Sequence, residues 1–427
     1  MAEQIAASES FVSPLAAELA DDVLERFLRY VRIDTQSAYG QLTSPSTAKQ
    51  LELSRLLEAE LLELELEDVR LDEFGYVYAA LPGATGAPVI GLIAHVDTSP
   101  DVTGTGVAPQ VHRGYDGSPI ALSGDETQIL DPQEQPALAE KIGHDLVTTD
   151  GTTLLGADDK AGVAEIMAAV AHLKRNPQPE HAPVRVCFTV DEEIGAGADH
   201  LEIDDFGAEY AYTLDGSGLG EIETETFNAW KVVVSIHGRS VHPGSAKGKL
   251  VSSVRLAADF VAALPRDRLS PETTAERDGF IHPTGISGTG EKTVVELIVR
   301  DHDGAKLDEH LALIRGIAHE VGQREPRARV EVTEEETYRN MREVIDQHPR
   351  VVAAAEEAIR RTGVEPVHSI IRGGTDGARL SARGLPTPNL FTGGQEYHSL
   401  REWASVQDMA AAAATVVELA RVWAETD

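Results

Sequence analysis

Apolar residues recur at helical spacing in several long stretches of the chain, and short apolar runs separate these stretches. The residues from Pro14 to Val31 and from Leu51 to Leu64 have the spacing of amphipathic helices. The runs "PVIGLIA" and "VRVCFT" are apolar throughout and are followed by polar residues, which is typical of strands buried inside a sheet. Helices that alternate with buried strands predict an α/β domain.

The pattern changes after Thr226. The segments that follow are, in order, "AWKVVVSIHG", a helical stretch, "GFIHPTGIS", "KTVVELIVRD", a second helical stretch and "ARVEVTEEE". Their order is β-α-β-β-α-β, that of a self-contained split-βαβ unit. We therefore predict an inserted second domain over residues 227–338 and a discontinuous first domain over residues 1–226 and 339–427. Within the returning first domain, the segment "PVHSIIRGGTDG" is expected to be extended.

The charge of the chain argues against two classes of partner. Asp and Glu number 71 against 37 Lys and Arg, a formal net charge of -34 that repels nucleic-acid phosphates and anionic lipid headgroups. We therefore expect neither a nucleic-acid nor a membrane partner. The single cysteine, Cys187, cannot form an internal disulfide, and the N-terminal residues lack the basic and apolar regions of a secretion signal. A cytoplasmic location is the expectation.

Five predicted strand ends carry side chains that can bind a metal ion. In an open α/β sheet, ligands bind beyond the carboxyl ends of the strands, so polar residues there have more functional weight than elsewhere. The side chains in question belong to His95 and Asp97, to Asp158 and Asp159, to the triplet Asp191, Glu192 and Glu193, to Asp215, and to His398.

Each of these groups has a structural explanation when it is taken alone. One aspartate of the pair before a helix can cap that helix, and an acidic triplet can simply be solvated at the end of a strand. Taken together, two histidines and several carboxylates at corresponding strand ends form the ligand set of a pair of divalent ions, of which zinc is the best match.

The chain resembles the M20 metallopeptidases, a family of dizinc exopeptidases, through motifs spread over nearly its whole length. The motifs are "LIAHVDTSPD", "TTDGTTLLGADDKAGVAEIM", "TVDEEIGAGA", "YTLDGSGLGEIETETFNA", "GRSVHPGSAKGKLVSS", "IRGGTDGARLS" and "PNLFTGGQEYHS". Within the family, "HVDTSP" and "LLGADDKAG" are more similar to the tripeptide aminopeptidases than to the deacylases and desuccinylases. The resemblance implies a mixed-sheet α/β catalytic domain that binds two Zn²⁺ ions, with Co²⁺ or Mn²⁺ as substitutes, and an inserted ferredoxin-like lid domain.

The resemblance also assigns a role to each candidate residue near the metals. It implies that His95 and Asp215 hold one zinc ion, that Glu193 and His398 hold the other, and that Asp158 bridges the two. Glu192 resembles the general base of the family, and Asp97 the residue that orients the imidazole of His95. The peptide bond between Asp158 and Asp159 is expected to be cis, as in the aspartyl link of the family.

Three residues are candidates for substrate binding by the same resemblance. His242 resembles the lid histidine that donates a hydrogen bond to the substrate carbonyl, although it could also be an ordinary loop histidine before a proline. Arg300 and Arg372 resemble positions that bind the terminal carboxylate of a peptide, for which the planar guanidinium is suited. An ion pair of Arg300 with Asp301 or Asp303 is the structural alternative.

The function implied by the resemblance is the removal of the N-terminal residue from tripeptides. A related N-acyl amino-acid or dipeptide hydrolase is the nearest alternative, and a peptide-binding homologue without catalysis or a metal carrier are more distant ones. Related proteins often form homodimers through the lid domain. The residues between Thr103 and His144 match no motif of the family, so their role and the side-chain preference of the enzyme stay open.

Overall fold

The structure of the chain, a computed structural model, describes residues 10–425. Its strands are β1 (Glu67–Leu71), β2 (Val77–Leu81), β3 (Ile90–His95), β4 (Gln110–His112), β5 (Ile120–Leu122), β6 (Asp125–Leu130), β7 (Leu146–Thr148), β8 (Val184–Thr189), β9 (Tyr210–Gly216), β10 (Glu221–Glu223), β11 (Asn228–His237), β12 (Phe280–Gly288), β13 (Lys292–Asp301), β14 (Arg329–Tyr338), β15 (Val367–Ser369), β16 (Asn389–Phe391), β17 (Gly394–Gln395) and β18 (Trp403–Ser405). Its α-helices are α1 (Pro14–Tyr30), α2 (Gln50–Glu63), α3 (Pro136–Ala139), α4 (Ala157–Arg175), α5 (Ile203–Phe206), α6 (Ser253–Ala263), α7 (Gly304–Arg324), α8 (Arg342–Ile345), α9 (Pro349–Arg361), α10 (Asp376–Ala382) and α11 (Val406–Glu425).

Helices α1 and α2 lie within one residue of their predicted positions. Helix α1 begins where Ser13 accepts a hydrogen bond from the backbone N–H of Ala16 and where Pro14 occupies a position that needs no N–H donor. The segment "PVHSIIRGGTDG" differs from the prediction, because only β15 within it is a strand and α10 begins at Asp376. The hydroxyl of Thr375 caps α10 by accepting from the N–H of Ala378.

The chain divides into two compact units, and the first contains the main sheet. This unit comprises the described residues up to Thr224, Met341–Ser369 and the described residues from Thr375 onward. The eight strands of its sheet lie in the order β1-β2-β8-β3-β9-β16-β10-β15. Strands β8, β3 and β9 are adjacent and parallel. Strand β2 pairs antiparallel with β1 and β8, and β10 pairs antiparallel with β16 and parallel with β15. The predicted mixed α/β fold is confirmed.

Two strands of this sheet, β2 and β3, are buried along their whole length. Every residue of β3 is buried, and so is every residue of β2. Helix α4 packs against β3 and β9. Helices α1 and α11 pack against α4 and against each other, and α9 packs against α11. No helix within residues 10–425 has both the length and the apolar character that a membrane crossing requires.

A smaller sheet in the first unit is built partly from the segment whose role the sequence left open. Its four strands lie in the order β17-β18-β7-β4, and all three pairings are antiparallel. A cluster of buried side chains accompanies the sheet and consists of Tyr115, Leu122, Leu130, Leu138, Leu146 and Trp403. The indole N–H of Trp403 donates to Gln135 Oε1 at 3.2 Å. The segment after Thr103 therefore supports the chain around β17 and β18.

The second unit consists of Glu225–Asn340 together with Ile370–Gly374. Its antiparallel sheet has the strand order β12-β13-β11-β14, and helices α6 and α7 pack against it in a βαββαβ arrangement. The predicted insertion, 227–338, did not include Ile370–Gly374. This short segment belongs to the second unit because Arg372 donates hydrogen bonds to the backbone oxygens of Glu276 at 2.6 Å and Asp278 at 2.9 Å.

Glu165 is a buried carboxyl group that the fold leaves unpaired. It lies in the middle of α4 with no exposed surface, and neither of its carboxyl oxygens has a hydrogen-bond partner. Burial raises the pKa of Glu165 well above its usual range, and the nearby carboxylate of Asp408 raises this pKa further. The folded chain therefore holds Glu165 in its protonated form over a pH range in which the unfolded chain ionises it.

We expect the substitution Glu165→Gln to make the protein less sensitive to rising pH. The stability that protonated Glu165 contributes is fully present below its unfolded pKa of about 4.3 and is lost as pH rises through its folded pKa, by up to ~1.4 kcal/mol per pH unit. Glutamine does not titrate, so the free energy of unfolding of the variant should improve relative to the wild type between about pH 5 and about pH 8. Urea unfolding at several pH values and one metal concentration measures this. A difference that does not change with pH would contradict the expectation.

Candidate metal centre

The parallel strands at the middle of the main sheet bring the predicted ligands to one edge. His95 is the last residue of β3, and Asp215 is the last but one of β9. Glu193 lies in a 3₁₀ turn, Glu192–Ile194, that follows β8. Because these three strands are adjacent and parallel, their carboxyl ends meet on the same side of the sheet.

Two groups of side chains that could each hold a metal ion share Asp158. One is His95, Asp158 and Asp215, and the other is Asp158, Glu193 and His398, with the ligand atoms of each group within 4.8 Å of one another. His95 Nε2 lies 3.0 Å from Asp158 Oδ1 and 3.6 Å from Asp215 Oδ1. His398 Nε2 lies 3.2 Å from Asp158 Oδ2 and 2.8 Å from Glu193 Oε2. Each oxygen of Asp158 therefore faces a different histidine.

The side chains present are suited to a pair of divalent cations. Histidine nitrogens and carboxylate oxygens are ordinary ligands of zinc and related metals. Glu193 Oε1 is buried without a hydrogen-bond partner, so an acceptor stays free that a cation would satisfy. Burial and, to a smaller extent, the neighbouring Asp158 together raise the pKa of Glu193 to about 8. A cation at this place would favour the ionised carboxylates instead.

Asp97 connects the end of β3 with the turn that carries the glutamates. Its Oδ1 accepts from the backbone N–H of Glu192 at 3.0 Å, and its Oδ2 accepts from that of Glu193 at 3.2 Å. His95 Nδ1 lies 3.1 Å from the backbone oxygen of Asp97 and 3.3 Å from its Oδ1. A proton on Nδ1 satisfies these acceptors and leaves the lone pair of Nε2 free to bind a metal.

The three consecutive carboxylates after β8 have three different surroundings. Asp191 accepts hydrogen bonds from the Ser46 backbone N–H, the Ser46 hydroxyl and Gln50 Nε2, at 2.5 to 2.6 Å, so it anchors the turn to the start of α2. Burial raises the pKa of Glu192 well above its usual range, and this effect is larger than the opposing effect of His95, which lowers the pKa. Glu193 faces His398.

The turn that contains Asp158 is held partly by its neighbour. The peptide bond between Asp158 and Asp159 is cis, which confirms the prediction. Asp159 is buried, and its two oxygens accept from the backbone N–H groups of His95 at 3.0 Å and of Gly162 at 3.2 Å. Asp159 thus ties the first turn of α4 to the end of β3.

The three predicted substrate residues all lie in the second unit. His242 is exposed, and its Nδ1 accepts from the backbone N–H of Gly244 at 3.1 Å, which places the proton of the neutral ring on Nε2. Arg372 uses its guanidinium for backbone oxygens, as described above, and for the hydroxyl of Thr274 at 3.2 Å.

Arg300 is less engaged than Arg372. Among the described residues, Arg300 forms no ion pair with Asp301 or Asp303, because Asp301 pairs with His310 at 2.9 Å and Asp303 caps α7. The guanidinium of Arg300 lies 5.5 Å from the centre of the Tyr338 ring, and its Nε is buried without a partner. The structure thus gives no support to the ion-pair alternative for Arg300.

Two buried carboxylates near the ligands were not predicted. Asp376 Oδ2 accepts from the Thr189 hydroxyl at 2.8 Å, at the end of β8. Glu402 accepts hydrogen bonds from the backbone next to Asp158. Asp376 lies in the motif "GGTDG", where its acidity could have been noticed, whereas no local pattern marks Glu402.

Comparisons with known proteins give a consistent result. The sequence model of the peptidase family M20/M25/M40 matches residues 139–422. A protein named peptidase T from Exiguobacterium is 46% identical over 405 residues, which are 94% of this chain and 98% of that protein. A peptidase T from Listeria monocytogenes is 44% identical over 411 residues, 96% of this chain and 100% of that protein.

Solved structures show the same similarity in fold. The crystal structure of aminopeptidase PepT from Bacillus cereus has a TM-score of 0.73 and 24% identity, and covers 95% of this chain and 99% of its own. The structure of a tripeptidase from Staphylococcus aureus has a TM-score of 0.75 and 22% identity, with the same two coverages.

Gly162 lets α4 approach β9 closely beside the ligands. A Cβ atom at this position would lie 1.9 Å from the backbone oxygen of Leu214 and 2.5 Å from Asp159 Oδ1. The residue after Leu214 is the ligand candidate Asp215, and Asp159 holds the start of α4. Any side chain at position 162 would therefore displace the backbone of Leu214 on one side and the carboxylate of Asp159 on the other.

We expect Gly162→Ala to lower the free energy of unfolding by about 1–3 kcal/mol, the usual cost of overpacking, and to weaken metal binding. Gly316→Ala is the matched control, because Gly316 lies within helix α7 and nothing lies within 4 Å of its Cβ position. The control should gain up to about 1 kcal/mol, since alanine favours helix more than glycine does. Urea unfolding and metal titration of both variants measure this. Equal stability of the two would contradict the close approach.

Proposed function

The chain belongs to the peptidase family M20/M25/M40, and from this premise we propose that it is an aminopeptidase that releases the N-terminal residue of tripeptides. The observation that carries the proposal is the pair of ligand groups that share Asp158, with Glu192 directly beside the ligand Glu193. The relatives named peptidase T, at 44–46% identity over nearly the whole chain, support tripeptides as the substrate class.

We propose that the two ligand groups hold two zinc ions. His95 and Asp215 would hold one ion, Glu193 and His398 the other, and Asp158 would bind both. Divalent ions held there would supply Lewis-acid chemistry, polarising the scissile carbonyl and lowering the pKa of a water molecule. Cobalt or manganese would be expected to replace zinc, because both accept the same nitrogen and oxygen ligands.

Glu192 would move the proton in this reaction. Its carboxylate takes a proton from the attacking water as the oxygen bonds to the carbonyl carbon, and then delivers that proton to the amine nitrogen as the C–N bond breaks. Asp97 would act indirectly, because its carboxylate accepts from the backbone N–H groups of Glu192 and Glu193 and lies beside the His95 ring. It is a positioning residue in this scheme.

Residues of the second unit would bind the substrate, which is the role expected of a lid domain. The N–H at Nε2 of His242 would donate to the scissile carbonyl oxygen as negative charge develops there. Arg300 has donor capacity to spare and would bind the peptide carboxylate. Arg372 is occupied by the loop from Thr274 to Asp278, so its part in binding would be to position this region as well as to attract the carboxylate.

The buried free thiol of Cys187 is consistent with a cytoplasmic location, which forms part of the proposal.

A substrate panel tests the proposed activity directly. Zinc-loaded protein is incubated with Ala-Ala-Ala, Ala-Ala, N-acetyl-alanine and the C-terminal amide of Ala-Ala-Ala, and the products are separated. We expect release of free alanine and Ala-Ala from the tripeptide, with little turnover of the dipeptide or the N-acetyl compound. Preferential cleavage of N-acetyl-alanine or Ala-Ala would identify the chain as another hydrolase of the family, and no cleavage at all would indicate a binding protein.

The amide in this panel measures the role of the two arginines. If Arg300 binds the free carboxylate, the amide should lose kcat/KM by an amount that corresponds to about 2–5 kcal/mol, the range for a broken buried charge pair. The variant Arg300→Met should remove this preference for the free acid. Arg372→Met serves as the comparison, because it should lower stability as well. Equal turnover of acid and amide by the wild type would assign both arginines a structural role.

Replacing Glu192 and Glu193 separately by glutamine distinguishes proton transfer from metal binding. Glu192→Gln should keep both ions and lose kcat by about 10²–10⁴-fold, the usual contribution of general acid–base catalysis. Glu193→Gln should bind one ion weakly, since an amide is a poorer ligand than a carboxylate, and excess metal should restore part of its rate. Zinc content and kcat are measured for both. Full turnover by Glu192→Gln, or equal metal loss in the two variants, would refute the division of roles.

A further inference from the structure

Glu402 is a buried carboxylate that contacts the turn leading to Asp158. It is 1% exposed and lies four residues after His398. Its Oε2 accepts from the backbone N–H of Leu155 at 2.7 Å and of Gly156 at 2.8 Å, and its Oε1 accepts from that of Asp158 at 3.1 Å. One side chain thus holds three backbone donors around the residue shared by both ligand groups.

The turn has no regular structure of its own to hold it. Gly156 has a left-handed backbone with φ of +84°, and Asp158 has non-helical angles although it lies in the first turn of α4. The N–H groups at the start of a helix have no partner within the helix, and Gly156, the residue before α4, offers no side chain to accept from them. Glu402 provides acceptors for this turn from a segment 244 residues away in sequence.

The other end of this contact is also held firmly. Glu402 is followed by β18, which pairs with β7 through Trp403 and Thr148. Trp403 is fully buried in the cluster of the small sheet and donates to Gln135. Glu402 therefore projects from a rigid element, as a side chain that orients a ligand should.

His398 belongs to the same segment as Glu402. His398 follows β17 and precedes Glu402 in the chain, and β17 pairs with β18. The backbone N–H of Glu402 donates to the backbone oxygen of Ser399, the residue after His398, at 3.4 Å. The carboxylate of Glu402 consequently joins the segment that carries one ligand to the turn that carries another.

We propose that Glu402 is a positioning residue that sets the place of Asp158 relative to His398 and thereby the affinity for both metal ions. The inference rests on the proposed dinuclear centre. It also gives the segment between Thr103 and His144 a function, since this segment forms the support on which Glu402 stands. Residues that orient metal ligands through hydrogen bonds typically contribute 10- to 100-fold in metal affinity, so an effect of roughly this size is expected.

The substitution Glu402→Gln tests the proposal. Glutamine keeps the size of the side chain, but its NH₂ group would face at least one backbone N–H that now donates to a carboxylate oxygen. Glu165→Gln is the matched control, because it replaces another buried glutamate of the same unit, one whose carboxyl oxygens have no hydrogen-bond partner and which has no place beside the ligands. Both variants and the wild type are stripped of metal, their unfolding is measured, and they are titrated with Co²⁺ while its visible absorption is recorded.

The expected result is that the metal-free Glu402→Gln protein folds, binds both Co²⁺ ions about 10- to 100-fold more weakly than the wild type, and shows an altered absorption spectrum. Glu165→Gln should bind Co²⁺ as the wild type does. Wild-type affinity and spectrum in Glu402→Gln would overturn the proposal, and so would an equal loss of affinity in the control.

A second variant and a second measurement cover a failure of Glu402→Gln to fold. Glu402→Asp keeps the charge and shortens the side chain, and the same loss of affinity is expected from it. In the metal-free wild type, the amide protons of Leu155, Gly156 and Asp158 should be protected from hydrogen exchange, and free exchange would contradict the contact. If the wild type itself binds no metal, the proposed function fails. If the wild type binds metal and the Glu402 variants bind it equally well, the proposed role of Glu402 fails.

Discussion

The position of the Asp158 carboxylate is the constraint on which the candidate centre depends. Its two oxygens face His95 and His398, so a displacement of this one side chain would alter both ligand groups together. The chain holds it from several sides: Asp159 ties the start of α4 to β3, Gly162 lets α4 approach β9, and Glu402 binds the preceding turn. Two ligand groups that share one residue need that residue held in place, and here segments far apart in sequence hold it.

The burial of several carboxyl groups close together around Asp158 changes their pKa values. Burial raises the pKa values of Glu192, Glu193 and Asp215 above their usual range, with Asp215 reaching about 6. For Asp158, hydrogen bonds from His398 and His95 outweigh burial and lower the pKa. Neighbouring acids in the same place therefore differ in proton affinity. Bound cations would favour the ionised ligands, so metal binding and ligand ionisation support each other.

Those parts of the site that depend on single strands could be predicted from sequence. His95, Asp215 and the turn after β8 follow apolar runs, and parallel strands bring such ends together whatever the rest of the chain does. Contacts between distant segments could not be predicted in this way. Thr189 and Asp376 are 187 residues apart, and no periodicity or spacing along a chain encodes such a pairing. The same holds for Arg372, whose guanidinium is bound by a loop that sequence alone does not place beside it.

The stretch "VDEEIG" shows how adjacent acidic residues can serve different purposes. Asp191 has a left-handed backbone with φ of +62°, which changes the direction of the chain just after β8, and the next residues form a 3₁₀ turn. Three residues complete one turn of such a helix, so consecutive side chains point about 120° apart. Asp191 lies before this turn and faces Ser46 and Gln50, whereas Glu193 within the turn faces His398. The backbone N–H groups of Glu192 and Glu193 both donate to the Asp97 carboxylate, so main-chain hydrogen bonds fix the relative position of the two residues that we propose as proton shuttle and metal ligand.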